Sequence, residues 1–395
     1  PRLLPMFSRV ASRLPGERNA LYRLHDTLKA EGRAILDLIS GNVTDHGLLF
    51  PQRLLENILV RSSRRSRVYR PDSFGRRPAR DAISRYYQAQ GIPVPAENIV
   101  LTPGTSVSYW YCFKLLADEG DEILCPCPSY PLFEYIGALC GINLVPYRLD
   151  EARGWSIDFD QLDACVSTRT KALVLISPHN PTGHVSQRDE IVAISQLASR
   201  HDLPIISDEV FGEFLLAGDR LPRFAQTSAP LVFTLNGFSK MFALPGLKLG
   251  WMAVSGHENK VRSALGALEL ISDTFLPVNE IVQAAVPEIF ARGRAFLDSY
   301  RAEIRKRWHV AEELLRNRAC WDFVPPQGGF YVALRLQGID EQHAAETILR
   351  ECGILLHPGY FYDMDPPHLV LSFVPKPERL RSILAQVLET LQRIP

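Results

Sequence analysis

Short apolar runs recur along this chain, each followed by a longer stretch in which apolar positions fall three or four apart. Residues 99–102, 122–125, 142–147, 173–177, 203–207 and 231–235 read as strands, that over 173–177 as a buried one. Between them the wider spacing predicts helices that run to Leu116 and over 130–140 and 187–201. Upstream, helices are expected over 19–31, over 52–67 and from Ala79 onward, with a short strand over 34–40. Strands spaced by helices imply an α/β fold with a mostly parallel sheet covered by helices on both faces. Thr102, Asn180, Asp208 and Lys240 each fall just after such a strand, where open α/β sheets bind their ligands.

Composition adds limits to this picture. With 395 residues, 46% of them hydrophobic, the chain can bury a large core and is expected to form two domains. Lysine plus arginine balance aspartate plus glutamate at 44 each, which argues against a nucleic-acid or membrane-surface partner. The arginines at 61, 64, 65, 67 and 70 therefore read as a solvated helix face or subunit interface. Seven scattered cysteines form no disulfide framework, and Cys125 and Cys127 lack the spacing of a zinc or redox pair. No metal site is expected, and a reducing, cytoplasmic setting is. The first residues, broken by arginines and prolines, do not read as a signal segment, and no apolar run is long enough to span a bilayer.

The chemistry concentrates in residues 234–251, TLNGFSKMFALPGLKLGW. Lys240 is flanked by Phe238, Met241 and Phe242. A lysine walled in by apolar groups loses solvation of its ammonium form, so its pKa falls and the free amine that a Schiff base needs becomes available. On this stretch alone a snorkelling surface lysine fits equally well. Pro103-Gly104-Thr105-Ser106 opens a helix, and its backbone N–H groups make a ready anion site, although ordinary helix caps use the same residues.

Four motifs in order carry a resemblance: Asn180-Pro181-Thr182-Gly183, Ser207-Asp208-Glu209, Ser239-Lys240 and Leu247-Lys248-Leu249-Gly250. From about residue 36 to 391 the chain resembles the class I/II aminotransferases, pyridoxal 5'-phosphate (PLP) enzymes of fold type I. The resemblance implies a large PLP-binding domain over 51–286 and a smaller α+β domain from 1–50 and 287–395. It implies that Lys240 forms the Schiff base and shuttles a proton, and that Asp208 pairs with the pyridine nitrogen. Asn180 would donate to the phenolic oxygen and Tyr130 would stack on the ring. Gly104, Thr105 and Ser106 would hold the phosphate, helped by Ser239 and Lys248. Tyr69 matches the tyrosine that reaches the neighbouring subunit's phosphate, which implies a homodimer. The substrates would be a small amino donor and a 2-oxo acid acceptor.

Three positions depart from the family pattern. Phe211 stands where many relatives carry a tyrosine, and Lys248 where an arginine usually grips the phosphate. Val370, in His368-Leu369-Val370-Leu371-Ser372-Phe373, stands where an arginine clamps the substrate α-carboxylate. Gly328-Gly329-Phe330-Tyr331 resembles the strand facing the substrate, with His357-Pro358-Gly359-Tyr360 a nearby loop. An aminotransferase is the favoured reading. A PLP-dependent lyase, decarboxylase or cyclase is the alternative, and a PLP-binding regulatory module is a distant third, since no basic or DNA-binding extension is visible.

Overall fold

The computed structural model describes Ser8, Val10 and residues 19–394 other than 219, 225, 226 and 317. Helix α1 (Ala20–Ala30) leads to strand β1 (Leu36–Asp37), followed by α2 (Gln52–Arg65) and α3 (Arg77–Gln88). Strands and helices then alternate through β2 (Ile99–Thr102), α4 (Thr105–Leu116), β3 (Glu122–Cys127), α5 (Leu132–Cys140) and β4 (Asn143–Asp150). Next come β5 (Ser156–Ile157), α6 (Phe159–Ala164), β6 (Thr170–Ile176), α7 (Arg188–His201) and β7 (Ile205–Asp208). Strand β8 (Leu231–Gly237), the one-turn α8 (Phe238–Met241) and β9 (Gly250–Gly256) complete this half. Helices α9 (Glu258–Asp273), α10 (Glu280–Arg292) and α11 (Arg294–Leu315) lead to β10 (Trp321–Asp322) and β11 (Tyr331–Leu336). The chain ends with α12 (Glu341–Cys352), β12 (Ile354–Leu355), β13 (His357–Pro358), β14 (His368–Ser372) and α13 (Pro377–Arg393).

One eight-stranded sheet has the order β2-β9-β8-β7-β6-β3-β4-β5. Strands β8, β7, β6, β3 and β4 run parallel. β9 runs against both its neighbours, and β5 folds back on β4. Strand β6 shows why helices must cover both faces. Ala172 and Val174 belong to a core with Phe113, Ile136 and Leu268, whereas the alternating Leu173 and Leu175 belong to one with Ile191, Ile194 and Leu197. A strand buried on both faces reads as a continuous apolar run, which is why these strands are visible in the sequence.

A second, antiparallel sheet has the order β10-β11-β14-β13, with α11 packed on α13 and α13 on α12. Helix α10 packs instead on α2 and α3. The N-terminal segment is tied to the second sheet's side: β1 pairs with β12, and the Ser372 N–H donates to the Leu38 carbonyl at 2.7 Å. The chain leaving β1 is thereby carried to the end of the large sheet, where the Gly41 carbonyl meets Lys240.

The strand expected over 34–40 contracts to Leu36–Asp37. Asp37 Oδ1 accepts from the Ile39 and Ser40 N–H groups, at 2.7 and 2.9 Å, and turns the chain out of the ladder. Strand β5 has no counterpart among the expected elements, because two residues carry no readable periodicity.

Candidate active site

Strand β8 is buried along its length and delivers α8, and with it Lys240, to the carboxyl end of the parallel strands. The Lys240 ammonium donates to the Gly41 carbonyl at 3.0 Å. Its Nζ lies 5.6 Å from the centre of the Phe211 ring and 5.9 Å from that of Phe330. Burial alone pulls the Lys240 pKa down to about 8. Gly41 lets both side chains approach the backbone, since a Cβ would fall 2.5 Å from the Tyr331 hydroxyl and 2.7 Å from Lys240 Nζ and would push those two side-chain ends aside. Phe211 brings no hydroxyl to this amine; Tyr331, from the second sheet, brings one to the same glycine.

The register places three loops side by side. Thr102 lies opposite Gly250, and Gly250 opposite Gly237, so the loop after β2, the start of α8 and the turn before β9 share one end of the sheet. A Cβ on Gly250 would fall 2.9 Å from Gly104 Cα and 3.1 Å from the Asn236 carbonyl, so only glycine lets these strands close up. Helix α4 begins at Gly104 with no side chain capping it. The nearby hydroxyls of Thr102 and Ser108 are spent on each other at 2.8 Å, whereas Ser106 is exposed. Ser239 is half-buried, and Lys248 is exposed in the left-handed region at φ 49.

Asp208 closes β7 and is buried. Its Oδ1 accepts from the Val210 N–H and its Oδ2 from the Tyr109 hydroxyl, both at 2.9 Å. Burial pushes its pKa up to about 6, while the Val210 and Tyr109 donors pull the other way. Asn180 follows β6 in a turn closed by backbone bonds, His179 N–H to the His184 carbonyl and Gly183 N–H to the His179 carbonyl, at 2.7 and 2.8 Å. Those bonds leave the Asn180 amide unspent, and its Oδ1 is buried without a hydrogen-bond partner.

Tyr130 lies in the loop after β3, beside a 2.9 Å bond from the Ser129 N–H to the Tyr362 carbonyl. Tyr69 stands apart from the rest: it is 67% exposed, on a segment held to Glu280 through Ser66 and Arg70. Val370 is fully buried and pairs with Ala333 and His357. Because Tyr331 pairs with Ser372 two residues further on, the side chain of Val370 lies on the Tyr331 face. Beside it, His357 has both ring nitrogens engaged, one by Tyr22 at 2.7 Å and one by Tyr362 at 3.0 Å. Burial lowers the His357 pKa to about 4, so the imidazole is neutral near pH 7. Asn42 is also committed, accepting from the Thr44 hydroxyl at 2.7 Å and donating to Asp45 at 2.9 Å.

Sequence reasoning missed Tyr109, Gly41 and the Tyr22–His357–Tyr362 chain. Tyr109 left a faint signal, as one of two tyrosines on this helix and one helical turn beyond Thr105. The others meet the site only through long-range contacts.

A mostly parallel α/β sheet with a desolvated lysine, a buried aspartate and an unspent asparagine at its carboxyl end defines the fold type I class. The family model "Aminotransferase class I and II" matches residues 33–387, and the chain belongs to this family, whose members depend on PLP. It is 28% identical over 369 residues to the glutamate-pyruvate aminotransferase AlaA of Escherichia coli (strain K12), covering 91% of each. It is 29% identical over 359 residues to an alanine aminotransferase of Mycobacterium bovis, covering 88% of this chain and 83% of that one. A solved aminotransferase from Escherichia coli superposes with a TM-score of 0.89 at 26% identity, covering 99% of both chains. The alanine aminotransferase of Pyrococcus furiosus has the same fold, with a TM-score of 0.91 at 23% identity over 98% of this chain and 99% of that one. The chain is an aminotransferase, an enzyme that moves an amino group between an amino compound and a 2-oxo acid.

Proposed function

We propose that this aminotransferase works through PLP held at the carboxyl end of the large sheet, with Lys240 as the reacting amine. The observation that carries this reading is the Lys240 amine itself, desolvated between Phe211 and Phe330 with a pKa near 8. The surroundings fit the cofactor. Asn180 has a buried oxygen without a partner, α4 opens without a side-chain cap, and Asp208 is a buried acid near the same sheet end. Bound PLP supplies an electron sink for charge that develops at the carbon bearing the amino group.

The chain's own groups then have separate tasks. Lys240 holds the cofactor and moves the proton at the reacting carbon. Asp208 keeps a positive partner on the ring nitrogen. The Asn180 Nδ2 amide donates to the ring's phenolic oxygen, and Tyr130 covers the ring face. Gly104, Thr105 and Ser106 hold the phosphate, with Ser239 as a donor and Lys248 as a cation of fixed charge but no bidentate fork. Tyr69 reaches the phosphate of a second copy in a homodimer. Its exposed ring supports this, together with Val68, Leu270, Phe275 and Ile281, exposed on the same or adjoining segments.

We also propose residues 51–286 as the PLP-binding unit and 1–50 with 287–395 as the smaller one, the junction falling inside α10. All seven cysteines are thiols, which suits the cytoplasm. Among the described residues no helix is long and apolar enough to cross a membrane.

The buried Val370 favours a second reading. Without a guanidinium at that strand position, the substrate α-carboxylate is held weakly or elsewhere, which leaves room for a PLP-dependent lyase, decarboxylase or cyclase reaction. The test is to mix loaded enzyme with one amino compound at a time and no acceptor. Conversion of the cofactor to its amino form, with release of an oxo product, supports the transferase reading. Release of carbon dioxide, ammonia or a ring product supports the second.

A further inference from the structure

The Asp208 carboxylate has donors on both oxygens before any ligand is considered, and the one on Oδ2 comes from a side chain that the reading above does not use. Tyr109 is only 4% exposed, and its hydroxyl donates to Asp208 Oδ2 at 2.9 Å. Its ring is fixed edge-on against Phe133 at 4.8 Å and lies 6.0 Å from Phe113. Burial and the adjacent carboxylate hold the phenol well above its usual pKa, so it remains a donor throughout the working range.

We propose that Tyr109 is a positioning residue for Asp208: its O–H fixes the rotation of the carboxylate and favours the ionised form, so that a proton shared with the cofactor's ring nitrogen resides on the nitrogen. This rests on the assignment of Asp208 to that nitrogen and adds what selects the proton's place. Desolvation works the other way. It penalises charge on the carboxylate and favours a neutral carboxyl beside a neutral ring, which is a poorer electron sink. The Tyr109 donor opposes that penalty at one oxygen as the Val210 N–H does at the other.

Position strengthens the argument. Tyr109 lies on α4, one turn beyond Thr105, about 6 Å along the helix axis. One rigid helix therefore carries Thr105, of the proposed phosphate site, on its first turn and the donor to Asp208 on its second. The other titratable groups around Asp208 do not compete for the role. Glu209 is paired with Arg223 at 3.0 Å, and the Cys112 and Cys125 thiols are held protonated by burial.

The test uses loaded enzyme carrying PLP labelled with 15N at the ring nitrogen, whose resonance reports where the shared proton lies. Tyr109→Phe keeps the ring and its packing and removes only the donor. At pH 7 the ratio of ring-protonated to carboxyl-protonated form is expected to fall by about tenfold, the scale of one hydrogen bond to a charged group. The resonance then moves toward the unprotonated position with cofactor occupancy unchanged. A second arm does not depend on that variant folding. Fluorotyrosine at position 109 alone makes that phenol a stronger donor and should move the resonance toward the protonated limit; no movement, or movement the other way, overturns the inference. Asp208→Asn separates the two levels. If it moves the resonance and Tyr109→Phe does not, the role of Tyr109 is refuted alone. If Asp208→Asn also leaves it in place, the assignment of Asp208 to the ring fails, and this inference with it.

Discussion

At the carboxyl end of the large sheet, polar groups stand ready for a ligand, whereas on the wall formed by the second sheet they are spent on one another. Asn180 keeps a buried oxygen without a partner, α4 opens uncapped, and the Lys240 amine has only a backbone carbonyl. Across from them His357 is satisfied at both nitrogens, Asn42 is locked into its own turn, and Val370 presents a buried apolar surface. Unspent buried polar groups cost stability unless something binds them, which is what the proposed cofactor would do in the first region. The second offers hydroxyls, with the Asp37 carboxylate acting on Tyr22, Tyr331, His357 and Tyr362, and its buried strand position 370 carries a valine in place of a cation. On the proposed reading, generic chemistry and substrate choice would be carried by these two regions separately.

The largest effect should come from the ready half. Lys240→Ala should abolish turnover and the visible absorbance of the bound cofactor; near-normal turnover would remove the basis of the comparison. Asp208→Ala should retain some PLP yet lower kcat by about two to three orders of magnitude, the scale on which a preorganised electrostatic partner acts. Full activity in that variant would mean the buried acid is only structural.

The second region is probed by substrates. Aspartate and glutamate should be poor donors with high apparent KM in a steady-state donor panel, because no guanidinium occupies the position of Val370. Either one saturating at low concentration would erase the contrast between the two halves. Val370→Arg sharpens the same point, with KM for aspartate expected to fall by about tenfold, the worth of a modest charged contact. The smallest effect belongs to Tyr69→Phe, which should weaken PLP retention by about 1 kcal/mol. Equilibrium dialysis measures that loss, and a fully active monomer in sedimentation would contradict the shared site.

The strands of the large sheet were legible because both faces are buried, so β6 and β8 appear as unbroken apolar runs. Lys240 was legible through its aromatic flanks, and Asp208 and Asn180 through their place after a strand. Gly41 was not, since its fit against Lys240 and Tyr331 depends on β1 pairing with β12 far along the chain. The Tyr22–His357 contact joins α1 to β13 and has no local signature. The strand expected over 34–40 is cut short at Asp37 because that side chain competes for the backbone. Local pattern shows which elements form and which residues are unusual, while partners brought in by tertiary closure stay hidden.

The claim on which both halves depend is that Lys240 carries the cofactor. Borohydride reduction of the loaded enzyme fixes the carbon–nitrogen linkage, and peptide mass spectrometry then locates it. The account predicts the pyridoxyl mass on Lys240 alone; the mass on Lys248 or any other lysine, or on none, would contradict it.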